Sequence, residues 1–235
     1  MVEFPNGSGA DAPNGARQPL GRIAYEKIYR KIMTLQYAPG QRLEEKLLVD
    51  ELGIGRTPVR EALLRLAADF MVESVPNKGV VVRPLTVQNT RAAFAALRIL
   101  ERGVAELAVR EEAGDLLDRM KTVNGGVQRA IEEGDVLGLV ESNDHFHRLF
   151  SECSRNDYLV HALHKVRCET NRLAYLSFAN AVDPFRSQHD HYRSVVEEHG
   201  KIIENIRNRS EARLKSTLDE HSRAFQNRIL LYMAA

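Results

Sequence analysis

The chain has 235 residues, enough for one large domain or two modest ones, and its 43% hydrophobic and 28% charged residues are ordinary for a folded globular protein. A net charge of +1 speaks neither for nor against a polyanionic partner, so only local clustering of charge can carry such an argument. No apolar run approaches the roughly 20 residues that cross a bilayer, and the two cysteines, Cys153 and Cys168, lack metal-type spacing, so reduced thiols in a cytoplasmic protein without a membrane partner are expected.

Residues 1–18 are rich in Gly, Pro, Asn and Ala and lack the apolar core of a signal peptide, which predicts a disordered tail. A helix is expected over about Ile23–Gln36, with Ile23, Ile28, Ile32 and Leu35 forming its apolar stripe. Tyr37-Ala38-Pro39-Gly40 stops it, because proline cannot continue a helix and glycine turns freely. A second helix covers about Glu44–Leu52, with Leu47, Leu48 and Leu52 inward. Gly53 to Gly55 turns the chain into a third helix that runs to about Asp69. In that helix Val59, Ala62, Leu63 and Leu66 recur at i, i+3, i+4 and i+7, so one face seeks a core. Arg56, Thr57 and Arg60 fall off that face at the helix start, where a recognition helix meets base edges and phosphates. Beyond it, Val72, Val75, Val80, Val81 and Val82 are β-branched, with Pro76-Asn77-Lys78-Gly79 as a turn between two runs. Three helices followed by a hairpin make a winged helix-turn-helix.

From Thr86 onward the pattern is helical. Breaks near Gly114, Gly134, Ser154–Asp157, Ala181–Pro184 and Asn208–Ser210 delimit about six helices, with Asp183-Pro184 as a helix start. Short connections imply antiparallel neighbours in a bundle. The expected fold is therefore mainly α: a tail over 1–18, a winged helix-turn-helix over 19–85, and an all-α antiparallel bundle of about six helices over 86–235.

Two constellations carry chemistry. Arg56 and Arg60 share one helix face, and each offers a planar fork that can grip guanine O6 and N7 or clamp a phosphate. Thr57 can bond a phosphate, Lys46 can approach the backbone, and Lys78 and Gly79 sit at the hairpin tip, where glycine permits close approach. In the second half, all eight histidines follow residue 144. His199 lies about ten residues before the Asn208–Ser210 turn and His221 about eleven after it, so an antiparallel hairpin brings them to similar heights. Asn143 precedes His147 by one turn. A cluster of three imidazoles and an amide oxygen follows, suited to a divalent transition metal, although the same histidines also fit an ordinary polar or core role. His145, His161, His164, His189 and His191 are given no role.

These residues resemble a known family. Pro39-Gly40-x-x-Leu43, the run Leu52-Gly53-x-x-Arg56-Thr57-Pro58-Val59-Arg60-Glu61-Ala62-Leu63, and Gly79-x-x-Val82 resemble the winged helix-turn-helix of GntR-type transcription factors. Arg98-x-x-Glu101, Asn143 with Phe146-His147, Asn156-x-x-Leu159, Glu198-His199-x-x-Ile202 and His221 resemble the FCD effector domain of the FadR subfamily, in its metal-binding branch. The resemblance implies DNA contacts by Lys46, Arg56, Thr57, Arg60 and Gly79, and Lys78 is expected to join them from its place at the hairpin tip. It implies a divalent metal, zinc first and nickel, manganese or iron after it, held by Asn143, His147, His199 and His221. It implies a small carboxylate effector met by Arg98. Two features depart from the usual pattern: Gly55 stands in place of serine and Asp69-Phe70 in place of Glu-Gly. Asn143, where Asp is commoner, leaves a neutral ligand set.

The resulting expectation is a ligand-responsive repressor and not an enzyme. It would read a palindromic double-stranded operator as a homodimer. A metal-dependent hydrolase built on the bundle is the alternative from another class, but the sequence holds no H-E-x-x-H. A bundle with a purely structural role is the third reading.

Overall fold

The computed structural model describes residues 18–179 and 188–234. The tail expected over 1–18, save its last residue, lies outside these, as do the Asp183-Pro184 helix start and the side chains of His189 and His191. The chain divides between Pro84 and Leu85 into two compact units, each with its own apolar core.

The first unit runs α1 (Leu20–Met33), β1 (Arg42–Leu43), α2 (Glu45–Leu52), α3 (Arg56–Ala68), β2 (Val72–Val75) and β3 (Gly79–Val82). The apolar row of α3, Val59, Ala62, Leu63 and Leu66, is buried as its spacing requires, and it packs on Ala24, Tyr25, Ile28 and Ile32 of α1. Tyr25 ties this contact with a hydroxyl that donates to Asp69 at 2.8 Å. The hairpin β2–β3 pairs antiparallel, Val72 opposite Val82 and Val75 opposite Gly79. A third strand was not expected: β1 pairs antiparallel with β3, Arg42 opposite Val81 and Leu43 opposite Val80, giving the order β1-β3-β2. Two residues are too few to show a period of two, so this strand has no sequence signature.

The second helix corrects one expectation. Leu48 is buried, but Leu47 is 60% exposed and Leu52 only half-buried, because a helix of eight residues presents a single row to α3. Gly53 ends α2 at φ 65°, the left-handed cap that glycine adopts without a Cβ penalty. Nothing lies within 4 Å of a Cβ built there, so the cost of a side chain is conformational alone. Gly53→Ala is therefore expected to destabilise the protein by about 1–2 kcal/mol, read as a lowered urea midpoint; an unchanged midpoint would refute this account. Phe70 adopts φ 59°, a conformation that favours glycine, and its ring meets the Arg83 guanidinium at 5.0 Å.

The second unit consists, among the described residues, of six helices: α4 (Val87–Ala108), α5 (Leu116–Glu133), α6 (Val136–Glu152), α7 (Asp157–Ala179), α8 (Gln188–Arg207) and α9 (Glu211–Ala234). Thr86 and Asp135 cap α4 and α6, accepting from the backbone N–H of Asn89 and Gly138. Helix α4 packs on α7 and α9, α6 on α5 and α7, and α8 on α5 and α9. Phe94, Phe146, Phe150, Leu163, Ile202 and Leu218 are central to the shared core. Cys153 is wholly buried there, and burial pushes its thiol pKa up to about 12, so it behaves as an inert apolar group.

Candidate metal centre and DNA-reading surface

In the first unit the six residues expected at DNA are all exposed. Lys46 stands in the first turn of α2, Arg56, Thr57 and Arg60 at the start of α3, and Lys78 and Gly79 at the hairpin turn. Gly79 takes φ 78°, and the space around a Cβ there is open. Arg60 Nε donates to Oε2 of Glu45 at 2.7 Å, which joins the starts of α2 and α3. Gly55 occupies the N-cap of α3 in an extended conformation, and no side chain caps the helix there.

In the second unit three histidines from three helices converge. His147 on α6 and His199 on α8 are fully buried, and His221 on α9 is nearly so. Their ring centroids form a near-equilateral triangle of 5.1, 5.3 and 5.3 Å. One nitrogen from each lies within 4.8 Å of the others. Neighbouring groups fix two of the rings. Asn124 on α5 takes the Nδ1–H of His199 at 3.0 Å, and Phe146 stacks on the same ring at 3.7 Å. Glu198 takes the Nδ1–H of His221 at 2.6 Å. Both rings are thereby set in the tautomer that leaves a lone pair on Nε2.

Burial pushes His147 well below the usual imidazole pKa, helped by the charge of Arg167 and by the other two histidines. His199 is lowered the same way, by burial first and then by His221 and Arg167. Both imidazoles are therefore neutral at pH 7, the form that ligates a metal. Yet Nε2 of His199 and both ring nitrogens of His147 have no hydrogen-bond partner. Unsatisfied buried polar atoms of this kind each cost about 1–3 kcal/mol. A divalent cation in the triangle would take up His199 Nε2 and one of the two His147 nitrogens, and the donor set suits one. These residues fit the metal that the sequence resemblance implies.

A pH dependence follows for the metal-free protein. The native pKa values are depressed, so below the unfolded imidazole pKa of about 6.5 the unfolded chain binds more protons than the native one. Stability is then full above about pH 7 and falls as pH drops through 6.5, by up to about 1.4 kcal/mol per pH unit for each of the two sites. Urea midpoints measured between pH 7.5 and 5.5 check this, and a midpoint that holds or rises on acidification would contradict neutral burial.

Asn143 lies on α6 one turn before His147 and is 8% exposed. Arg98 is half-buried on α4, its Nη1 donating to Oε1 of Gln226 at 3.5 Å. An Arg98–Glu101 ion pair, the plain alternative for this arginine, is not what forms: Glu101 is 1% exposed and accepts from Arg167 Nη2 and, at 2.8 Å, from Ser222. Asn124, Arg167 and Ser222 were not anticipated. Asn124 lies 75 positions from the ring it anchors, and no local pattern signals such a partner.

Residues 92–224 match the FCD domain, and residues 20–82 match the bacterial regulatory proteins of the gntR family. The chain is an FCD-domain regulator of the GntR family. The HTH-type transcriptional repressor RspR of Escherichia coli strain K12 is 23% identical over 80% of this chain and 83% of its own length. The uncharacterized HTH-type transcriptional regulator YdhC of Bacillus subtilis strain 168 is 22% identical over 84% and 85%. The fold is that of Escherichia coli McbR/YncC, with a TM-score of 0.76 at 21% identity, covering 93% of this chain and 99% of that one. These relatives regulate transcription and are not enzymes, which sets the hydrolase alternative aside. No described helix is long and apolar enough to cross a membrane.

Proposed function

We propose that this regulator is a metal-containing repressor that binds a palindromic operator as a homodimer and leaves it when a small carboxylate enters the helical unit. Arg56 and Arg60 read bases, Thr57 and Lys46 hold phosphates, and Lys78 and Gly79 lie along a groove. His147, His199 and His221 hold a divalent ion, zinc by preference, with Asn143 as the fourth ligand carried over from the resemblance. A cation there supplies positive charge that favours an anionic effector. The response to that effector equals its difference in affinity for the DNA-bound and released states.

The observation that supports the sensing part is the triangle of three imidazoles, two of which, His147 and His199, are buried with unpartnered nitrogens. The repressor sense is favoured by relatives that carry that name, RspR and the NanR of Salmonella arizonae. The test is selection of genomic fragments with purified protein, with zinc present and with zinc chelated. A recovered palindrome beside genes of carboxylate metabolism is the expected result. An asymmetric site, or no enrichment in either condition, would overturn the proposal.

A further inference from the structure

A cation in the triangle takes one nitrogen of each imidazole and leaves the other nitrogen of each ring as an N–H. Two of those three have an acceptor already: Asn124 on α5 serves Nδ1 of His199 at 3.0 Å, and Glu198 on α8 serves Nδ1 of His221 at 2.6 Å. His147 has none among the described residues. Its ring is fully buried and neither nitrogen has a partner, so ligation satisfies one and strands the other. Glu101 on α4 holds an acceptor within reach, because its Oε1 lies 4.0 Å from Nδ1 of His147. That gap is about 1 Å longer than a hydrogen bond. Glu101 is 1% exposed, and two donors hold it. Oε2 accepts from the Ser222 hydroxyl at 2.8 Å, and Oε1 accepts from Nη2 of Arg167. A carboxylate oxygen carries two lone pairs, so Oε1 can accept from His147 without releasing Arg167.

We propose that Glu101 is the positioning residue for His147: with a divalent ion in the triangle, Nδ1–H of His147 donates to Oε1 of Glu101 and Nε2 ligates. The inference rests on the metal reading above and deepens it, giving each of the three imidazoles one outer acceptor, from α5, α8 and α4. A cation at Nε2 draws electrons from the ring and makes Nδ1–H a stronger donor. The carboxylate sets negative charge beside a ligand set that is itself neutral. Arg167 balances Glu101 when no ion is bound, which accounts for a carboxylate kept in the interior of the bundle. Glu101 also lies on α4, the helix that follows Pro84 in the chain, so through this one side chain the ion bears on that helix.

The test uses the full chain and zinc alone. Heteronuclear NMR of the histidine rings reads which nitrogen of each ligates and which carries hydrogen. In the zinc-loaded wild type, His147 is expected to ligate through Nε2 and to show a slowly exchanging Nδ1–H. Substituting Glu101 alone strands the buried Arg167 charge, so two neutral pairs carry the comparison. E101M/R167M removes the acceptor, whereas E101Q/R167M keeps a side-chain carbonyl in its place. Zinc affinity, measured by competition with a chromophoric chelator, should fall roughly 10- to 100-fold in E101M/R167M, and E101Q/R167M should recover most of that loss. The Nδ1–H signal of His147 should vanish into exchange in the first pair and persist, shifted, in the second. A merely structural Glu101 would lower the melting of both pairs alike and leave zinc affinity and the His147 tautomer as in the wild type; that result overturns the proposal. Ligation of His147 through Nδ1 in the wild type overturns it too, and is readable even if neither pair folds. Both results leave the metal centre standing, whereas no zinc binding by the wild type removes the metal reading and this inference together.

Discussion

Zinc is expected to raise the melting temperature of the wild-type chain, and His199→Ala to remove that rise. His199 is buried on every side, stacked on Phe146 and held by Asn124, with Nε2 directed into the triangle. Its removal leaves two imidazoles, too few for a tight zinc site. A ligand that binds only the native state stabilises it by about 2.7 kcal/mol at a hundredfold excess over its dissociation constant, an effect that thermal melting resolves easily. The mutation also opens a cavity, so the metal-free variant melts lower by itself, and the informative comparison is with and without zinc within each variant. Asn124→Ala separates ligation from packing: it keeps all three imidazoles, loses the tautomer anchor, and should weaken zinc roughly 10- to 100-fold. A zinc response in His199→Ala equal to that of the wild type would sink the metal centre. No response in the wild type would leave the bundle a structural element only.

The second large effect is expected at the other end of the chain. Arg60→Ala abolishes preference for the operator over a scrambled duplex while the circular dichroism spectrum stays unchanged. The Arg60 side chain is 59% exposed and contributes nothing to the core, so the fold does not depend on it. Its pairing with Glu45 is an exposed ion pair, worth at most about 1 kcal/mol. A bidentate contact to guanine is worth about 1–3 kcal/mol of discrimination, and a symmetric dimer loses it twice. Lys46→Ala serves as the contrast. If Lys46 meets phosphate, that variant weakens all duplexes alike and lowers the salt dependence by about one counterion. Fluorescence anisotropy at several salt concentrations distinguishes the two patterns. Near-native operator affinity in Arg60→Ala would remove the recognition role from α3.

The parts of this protein that were legible in the sequence are those set by local periodicity. The i, i+3, i+4, i+7 row of α3 and the glycine and polar breaks between the helices depend on neighbours within a few residues. The pairing of His199 with His221 was legible for a related reason: one short turn at Asn208–Ser210 fixes the register of two helices, and the centroids meet at 5.3 Å. Strand β1 escaped because a two-residue strand is defined by its partner. Leu47 was misplaced because leucine content does not say which row of a short helix meets a neighbour. The links from Glu101 to Arg167 and from His199 to Asn124 cross 66 and 75 positions. Such polar partners are selected by the packed bundle, and no spacing rule reaches them.

The triangle also says something about the order in which the molecule comes together. Its corners lie at positions 147, 199 and 221, on three helices, and no two of them fall within one turn of the same helix. No short peptide from this chain holds all three of these imidazoles, which lie 52 and 22 positions apart. On the metal-centre reading proposed above, capture of an ion by this triangle waits until α6, α8 and α9 have docked, closing contacts of high sequence separation that form slowly. In a refolding experiment helix formation would come first and zinc uptake last. During synthesis the site stays blind to the metal until α9 has joined the bundle, so an occupied triangle is itself the mark of a finished fold.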